Sequence, residues 1–177
     1  MRQGLKLFLV TLLFATVPGM FFAFSWWFGM FNQVEITKGE TKESQMLLMQ
    51  HRGDYLKVGE KISKVKKFLK IYGKSCQGVA LFTRRGKTLP KKMLDSRAGC
   101  AINKLPDTID GTFEVKRIKF KEYVSFSIDA HPVIGMRKLF SAIEDYEADE
   151  KKTLEYPYLV EFAEDGSITF FVGVSQN

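Results

Sequence analysis

Cysteine and histidine are scarce in this chain. Two of each stand among 177 residues. That is too few for a disulfide-stapled scaffold and leaves little for a zinc site. No CxxC pair, no Gly-rich phosphate loop and no Ser, His, Asp series is present, so the usual signatures of redox, nucleotide and triad chemistry are missing. Five prolines and 14 glycines in a chain that is 45% hydrophobic exclude collagen-like and largely disordered classes. Tryptophan occurs only at 26 and 27, and between Lys6 and Glu35 there is no charge at all.

What fills that uncharged stretch is a long apolar run. Residues 7–31 read LFLVTLLFATVPGMFFAFSWWFGMF. As a helix it would span about 37 Å at about 1.5 Å per residue, enough for a tilted membrane crossing. Trp26 and Trp27 suit a headgroup-level aromatic belt. Pro18-Gly19 would kink the helix, which a membrane bundle tolerates. A cleaved signal peptide is the alternative, but its apolar core is usually only about 7–15 residues, and no A-x-A site follows here. The sequence therefore predicts a transmembrane anchor over 1–31, with the membrane as a partner through residues 7–31. Arg2 and Lys6 precede the span, while Lys38 and Lys42 follow at a greater distance. The bias favours a single-pass protein with its domain on the outer, periplasmic side.

Residues 32–44 are polar and read as a short stem with a few strand residues, leaving 45–177 as the folded domain. Charge divides this part of the chain. Residues 32–103 hold 16 basic and 6 acidic side chains, and residues 104–177 hold 9 and 14. Such a division does not describe a uniform nucleic-acid-binding surface, and no nucleic-acid partner is expected. It does admit a protein partner. Seven lysines, Lys57, Lys61, Lys64, Lys66, Lys67, Lys70 and Lys74, crowd one predicted helix. They read first as a solvated face and second as a contact for anionic lipid headgroups.

Residues 45–50 predict a strand. Asp54 can cap a helix reaching about Tyr72, in which Val58, Ile62, Val65, Leu69 and Tyr72 recur at steps of four and three. Residues 78–84 and 96–102 predict two strands, separated by a loop carrying Pro90. Residues 112–128 predict one long strand or two pieces. Pro132 then opens a helix to about Glu147, with Met136, Phe140 and Ile143 facing one way. Residues 156–163 and 167–174 predict strands joined by Glu164-Asp165-Gly166, a hairpin turn. The fold class is α+β: two strand-helix-strand-strand repeats form one antiparallel sheet with both helices on one face. The opposite face is expected to form a groove.

The order of these weak motifs resembles the GyrI-like small-molecule-binding family, also called the AraC-type effector-binding family, and its membrane-anchored members in particular. His51 to Tyr55 resembles that family's Gly-Pro-Tyr turn, with Asp54 in place of the proline. Val79 to Ile102, with Pro90, Ser96 and Arg97, resembles its proline, spacer, arginine, strand segment. Tyr156-Pro157 with Leu159, Val160 and Phe162 resembles its last hairpin. The resemblance implies a small, largely apolar ligand in an inter-repeat groove, with Tyr55, Phe82, Tyr158, Val160 and Phe162 as lining residues. His51 and His131 read as ordinary loop residues, and no cofactor and no metal are expected.

Many members carry a glutamate in the penultimate strand, but this register places Val160 there. By alternation Val160 and Phe162 share a side with Tyr158, and Glu161 points the other way unless a bulge intervenes. The domain is accordingly expected to be non-catalytic, with a protein-interaction module or a small-molecule hydrolase as alternatives. Cys76 and Cys100 lie near neighbouring strands. A free buried pair is expected, with a disulfide open to it if the domain lies outside a cytoplasm.

Overall fold

The computed structural model describes residues 16–83, 93–106, 108–109 and 111–174. Among these residues, eight strands and two helices make up the domain: β1 (Glu35–Gly39), β2 (Lys42–Arg52), a 3-10 turn at Tyr55–Lys57, α1 (Gly59–Ile71), β3 (Gln77–Phe82), β4 (Asp95–Ala101), β5 (Glu114–Phe120), β6 (Tyr123–Asp129), α2 (Pro132–Glu150), β7 (Leu154–Phe162) and β8 (Ser167–Val174). All neighbours are antiparallel, in the order β1-β6-β8-β7-β3-β4-β2-β5.

The two expected repeats are present as β2-α1-β3-β4 and β6-α2-β7-β8. Their middle strands, β3 and β7, pair from Gly78↔Phe162 to Phe82↔Tyr158 and join the halves into one sheet. Two features widen that sheet. The polar stem contains β1, which pairs with β6, and the first residues of β2. Residues 112–128 are two strands that part company. β5 pairs with β2 at one edge, while β6 pairs with β8 and β1 towards the other. Only Lys121 and Glu122 separate them, so the sheet must roll. Phe120 at the end of β5 accordingly lies against Gly173 of β8, where an added Cβ would meet the ring at 3.2 Å.

Alternation sorts the side chains onto two faces. Ala80, Phe82, Phe126, Tyr158, Val160 and Phe170 turn towards α2 and the 3-10 turn. Leu47 and Cys100, on the same face, take Val65 and Leu69 of α1. Both helices thus cover one face, as expected. The other face does not form the expected groove. Met46, Leu48, Val79, Leu81, Leu159 and Phe171 meet there as a second core with Phe120, because the roll brings the two halves of the sheet together.

Cys76 and Cys100 are joined by a disulfide, with Cα atoms 5.1 Å apart. This replaces the expected pair of free thiols. The reason lies in the register: Gly78 stands opposite Cys100, so the segment entering β3 brings Cys76 onto β4.

Residues 16–27 are helical and 28–31 form a turn. That turn is docked on the start of α2. The His131 N–H donates to the Phe28 carbonyl at 3.1 Å. Lys138 Nζ donates to the carbonyls of Met30 and Asn32 at 2.6 and 2.7 Å. Gly29 has φ +70°, and a Cβ there would strike the Asp129 carbonyl. Residues 7–15 of the expected crossing lie outside the described residues. Among the described residues no helix is long and apolar enough to cross a membrane.

Candidate functional site

The turn between β2 and α1 builds one side of a cleft. Gly53, at φ +121°, reverses the chain, and its N–H donates to the Leu94 carbonyl at 2.9 Å. Asp54 accepts from the Leu56 N–H at 3.1 Å, and its carbonyl meets His51 Nε2 at 3.0 Å. A local side-chain cap of this kind favours a short turn over a continued strand. The turn carries Tyr55 inwards, where its ring stacks on Phe82 with centroids 4.0 Å apart and planes 4° apart. The Tyr55 hydroxyl donates to the Asp95 carbonyl at 3.4 Å. Phe140 of α2 lies 6.2 Å from the Phe82 ring and edge-on to Phe170 at 5.2 Å.

Between this turn and α2 lies a cleft of about 340 Å³. Its walls are Tyr55, Leu56, Leu94, Val133, Met136 and Phe140, with Asp54 and Arg137 as its charged groups. Leu56 and Val133 are 44% and 52% exposed and leave an apolar rim open to solvent. An apolar hollow with a few convergent polar groups is the ordinary form of a small-molecule site.

Of the five residues expected to line a site, Tyr55 borders this cleft. Phe82 lies directly behind it. Tyr158 and Val160 are on the same face, opposite Phe82 and Ala80. Phe82, Tyr158 and Val160 have no exposed surface, so they are the packed floor beneath Tyr55 rather than its walls. Phe162 stands at the far end of β7 and borders a separate hollow with Ile62, Gln77 and Gly78. All five therefore lie on the helix-covered face and not on the opposite one, where the groove was expected.

Glu161 points to the opposite face. β7 has an irregularity between Glu155 and Leu159, ahead of Glu161, so alternation through Leu159, Val160 and Glu161 is intact. Its carboxylate pairs with Lys42 Nζ at 2.8 Å and accepts from Gln77 Nε2 at 3.3 Å. The same ammonium lies over the Phe171 ring at 4.1 Å. The roll of the sheet makes this possible, since Lys42 comes from β2 and Glu161 from β7.

The acidic residues before Lys151-Lys152 are divided by α2. Glu147 accepts from the Leu154 N–H at 2.9 Å and so fastens the entry to β7. Glu150 pairs with Lys38 at 3.2 Å. That hydrogen bond, and a second that the ammonium donates to the Tyr146 hydroxyl, raise the Lys38 pKa. In the last hairpin, Asp165 accepts from the Ser167 N–H and hydroxyl at 2.9 and 2.8 Å, which holds its carboxyl below the ordinary value. His51 and His131 flank the turn and α2, and no group of three metal-ligating side chains occurs among the described residues.

Leu56, Leu94, Val133 and Met136 were not singled out as a site by sequence reasoning. Met136 and Phe140 were legible as one stripe of α2. The missing signal was tertiary: an unpaired apolar residue in the turn, Leu56, faces one on the first turn of α2, Val133.

No protein-family model matches the chain, and no curated protein matches it. Solved structures do. The C-terminal domain of EcmrR superposes with a TM-score of 0.60 at 12% identity, covering 82% of this chain and 99% of that one. EcmrR in its complex with DNA gives 0.63 at 12% identity, covering 84% of this chain, which spans 59% of that longer one. A hydrolase from Listeria innocua gives 0.52 at 11% identity, covering 81% and 93%. The shared property is the fold: this chain folds as the EcmrR C-terminal domain does.

Proposed function

We propose that this chain is a small-molecule-binding domain of the GyrI-like kind, holding a largely apolar molecule in the cleft between the Tyr55 turn and α2. The observation that carries the reading is the cleft itself: six apolar walls, an uncovered rim at Leu56 and Val133, and a stacked Tyr55–Phe82 floor. The ligand class follows from those walls, with Arg137 and Asp54 at the margin to orient one polar group. Hydrolysis draws no support from Glu161, whose carboxylate is engaged by Lys42 on the other face. A general base must reach the proton it removes.

The test is calorimetry of the full chain in lipid nanodiscs against a panel of aromatic and alicyclic compounds, with empty nanodiscs as the blank. A saturable heat is expected. The Val133→Trp variant fills the cleft from a half-exposed position and should abolish that heat while leaving the thermal midpoint unchanged. Equal binding by the variant would refute the cleft as the site.

A membrane tether is the second part of the reading. Phe21, Trp26 and Trp27 are 71%, 70% and 86% exposed, a degree that water does not favour for such large apolar side chains. The disulfide supports an oxidising compartment, and so the outer side. Retention of the full chain in membranes through an alkaline carbonate wash tests the tether. A compartment-sensitive reporter after Asn177 tests the side.

A further inference from the structure

α1 ends with an isoleucine in solvent. Its inner side is well used: Val65 and Leu69 are fully buried against Leu47 and Cys100. Its outer side carries Lys64, Lys67 and Lys70, all exposed, and the helix closes on Ile71, 81% exposed. Tyr72 follows at 42% exposed, its ring resting on Phe68 at 5.1 Å, and Lys74 comes two residues later. Among the described residues none of these lysines has an ion-pair partner. A lysine in the last turn suits the helix dipole, but the dipole gives no reason to leave isoleucine uncovered.

The register of the sheet shows what lies beside this tip. Gly78, Phe162, Ile168 and Ile128 stand opposite one another across four strands, with Gln77 opposite Ala101 and Asp129 opposite Ser167. The chain leaves α1 for Gln77 and enters α2 from Asp129. The last turn of α1 and the first turn of α2 therefore share one end of the sheet. The N-terminal segment is docked at that end, through Phe28 to His131 and through Lys138. There Trp26 and Trp27 share a hollow with Asp165 and Gly166 of the last hairpin turn.

We propose that this end of the domain lies on a bilayer that carries anionic lipid. Lys67, Lys70 and Lys74 contact the headgroups, while Ile71 and Tyr72 enter the headgroup layer. The charge matches anionic lipid, and the amphipathic tyrosine and long lysine stems match the interface. The proposal deepens the tether reading and rests on it for the placement of this end against the membrane.

The experiment uses the full chain carrying Trp26→Phe, Trp27→Phe and Ile71→Trp, so that all tryptophan emission comes from the tip of α1. Vesicles of phosphatidylcholine are compared with vesicles that are about one third phosphatidylserine, each with and without brominated chains. Co-flotation with both kinds is expected. Emission should be quenched by brominated lipid only where phosphatidylserine is present, and added salt should reverse the quenching. Reversing Lys67 and Lys70 to glutamate should remove it, since each lysine near an anionic surface strengthens contact about fivefold.

Co-flotation with both vesicles and equal emission in each would overturn the docking and leave the tether standing. Flotation with the phosphatidylserine vesicles alone, lost in salt and in the lysine variants, would uphold the docking and sink the tether. No flotation with either would sink both. Retention of a DNA duplex at the same salt, with emission indifferent to lipid, would assign the lysines to nucleic acid and overturn the proposal.

Discussion

Breaking the Cys76–Cys100 bond is a perturbation whose size can be worked from the structure. The bond closes a loop of sequence separation 24. On the chain-entropy account, opening a loop of that length costs about 3.5 kcal/mol of stability. The substitutions should add little else. Cys76 is partly exposed, so serine suits it, whereas Cys100 is fully buried among Leu47, Val65 and Leu69 and must be replaced by alanine to avoid burying a hydroxyl. With a urea slope of about 2 kcal/mol per M, the midpoint of the Cys76→Ser/Cys100→Ala double variant should fall by about 1.5–2 M. The assay is urea unfolding of the full chain, followed by circular dichroism. Reductant should bring the parent protein down to the variant's midpoint and leave the variant where it was. A drop of under about 1 kcal/mol, or an equal response of both proteins to reductant, would refute the reasoning. The location of the loss is also specified. The bond ties the exit of α1 to β4, so amide exchange should quicken first at the end of α1 and the start of β3.

Three further outcomes are expected. Gly99→Ala would place a Cβ 2.0 Å from the Leu47 carbonyl oxygen, a backbone atom held in the β2–β4 ladder. It should cost about 3 kcal/mol or more, read as a lost unfolding midpoint or as insoluble expression. Glu161→Gln should cost about 1–2 kcal/mol in urea unfolding, because its partner Lys42 is mostly covered, and should leave the heat of ligand binding unchanged. Asp165 has a lowered pKa, through its bonds to Ser167. Its contribution is therefore complete above the ordinary carboxylate pKa and is lost as pH falls through the lowered folded value. Carboxyl chemical shifts should place its titration below that of free aspartate, and a midpoint at or above the free value would contradict the assignment.

Much of the fold was legible in local pattern. Steps of three and four at Val58, Ile62, Val65 and Leu69 can only line up on a helix, whereas residues 156–163 are a short apolar run bounded by a turn. The turn at Glu164-Asp165-Gly166 announced itself through residue chemistry, and Gly166 indeed takes φ +93°. What was illegible is what local pattern does not encode. β1, Glu-Ile-Thr-Lys-Gly, has four of its five residues exposed, so the sequence shows a few strand residues in the stem but not which edge of the sheet they join. The parting of β5 and β6 depends on the roll of the whole sheet. So does the meeting of Cys76 with Cys100, since a spacing of 24 residues says nothing of register.

The same limit explains the site. Alternation correctly put Tyr158, Val160 and Phe162 on one side and Glu161 on the other, because period two survives as long as no bulge falls between them. Which side the helices cover is a question of handedness and of the roll, and alternation is blind to it. The expectation of a groove opposite the helices failed there: that face is closed by Leu81, Leu159 and Phe171, among others, with Glu161 and Lys42 at its margin. Strands about 4.7–4.9 Å apart leave no gap between them, so an opening on the helix-covered face lies beside a helix, as the hollow at Ile62 and Phe162 also does. The Tyr55 turn and α2 make such an opening, and the uncovered pair Leu56 and Val133 marks it. A binding site in this fold is therefore expected to follow the turn, not the penultimate strand. Substitutions at Leu56, Val133 and Met136 should change which ligand is taken, while those at Phe82, Tyr158 and Val160 should change stability first, by about 3–5 kcal/mol for Phe82→Ala.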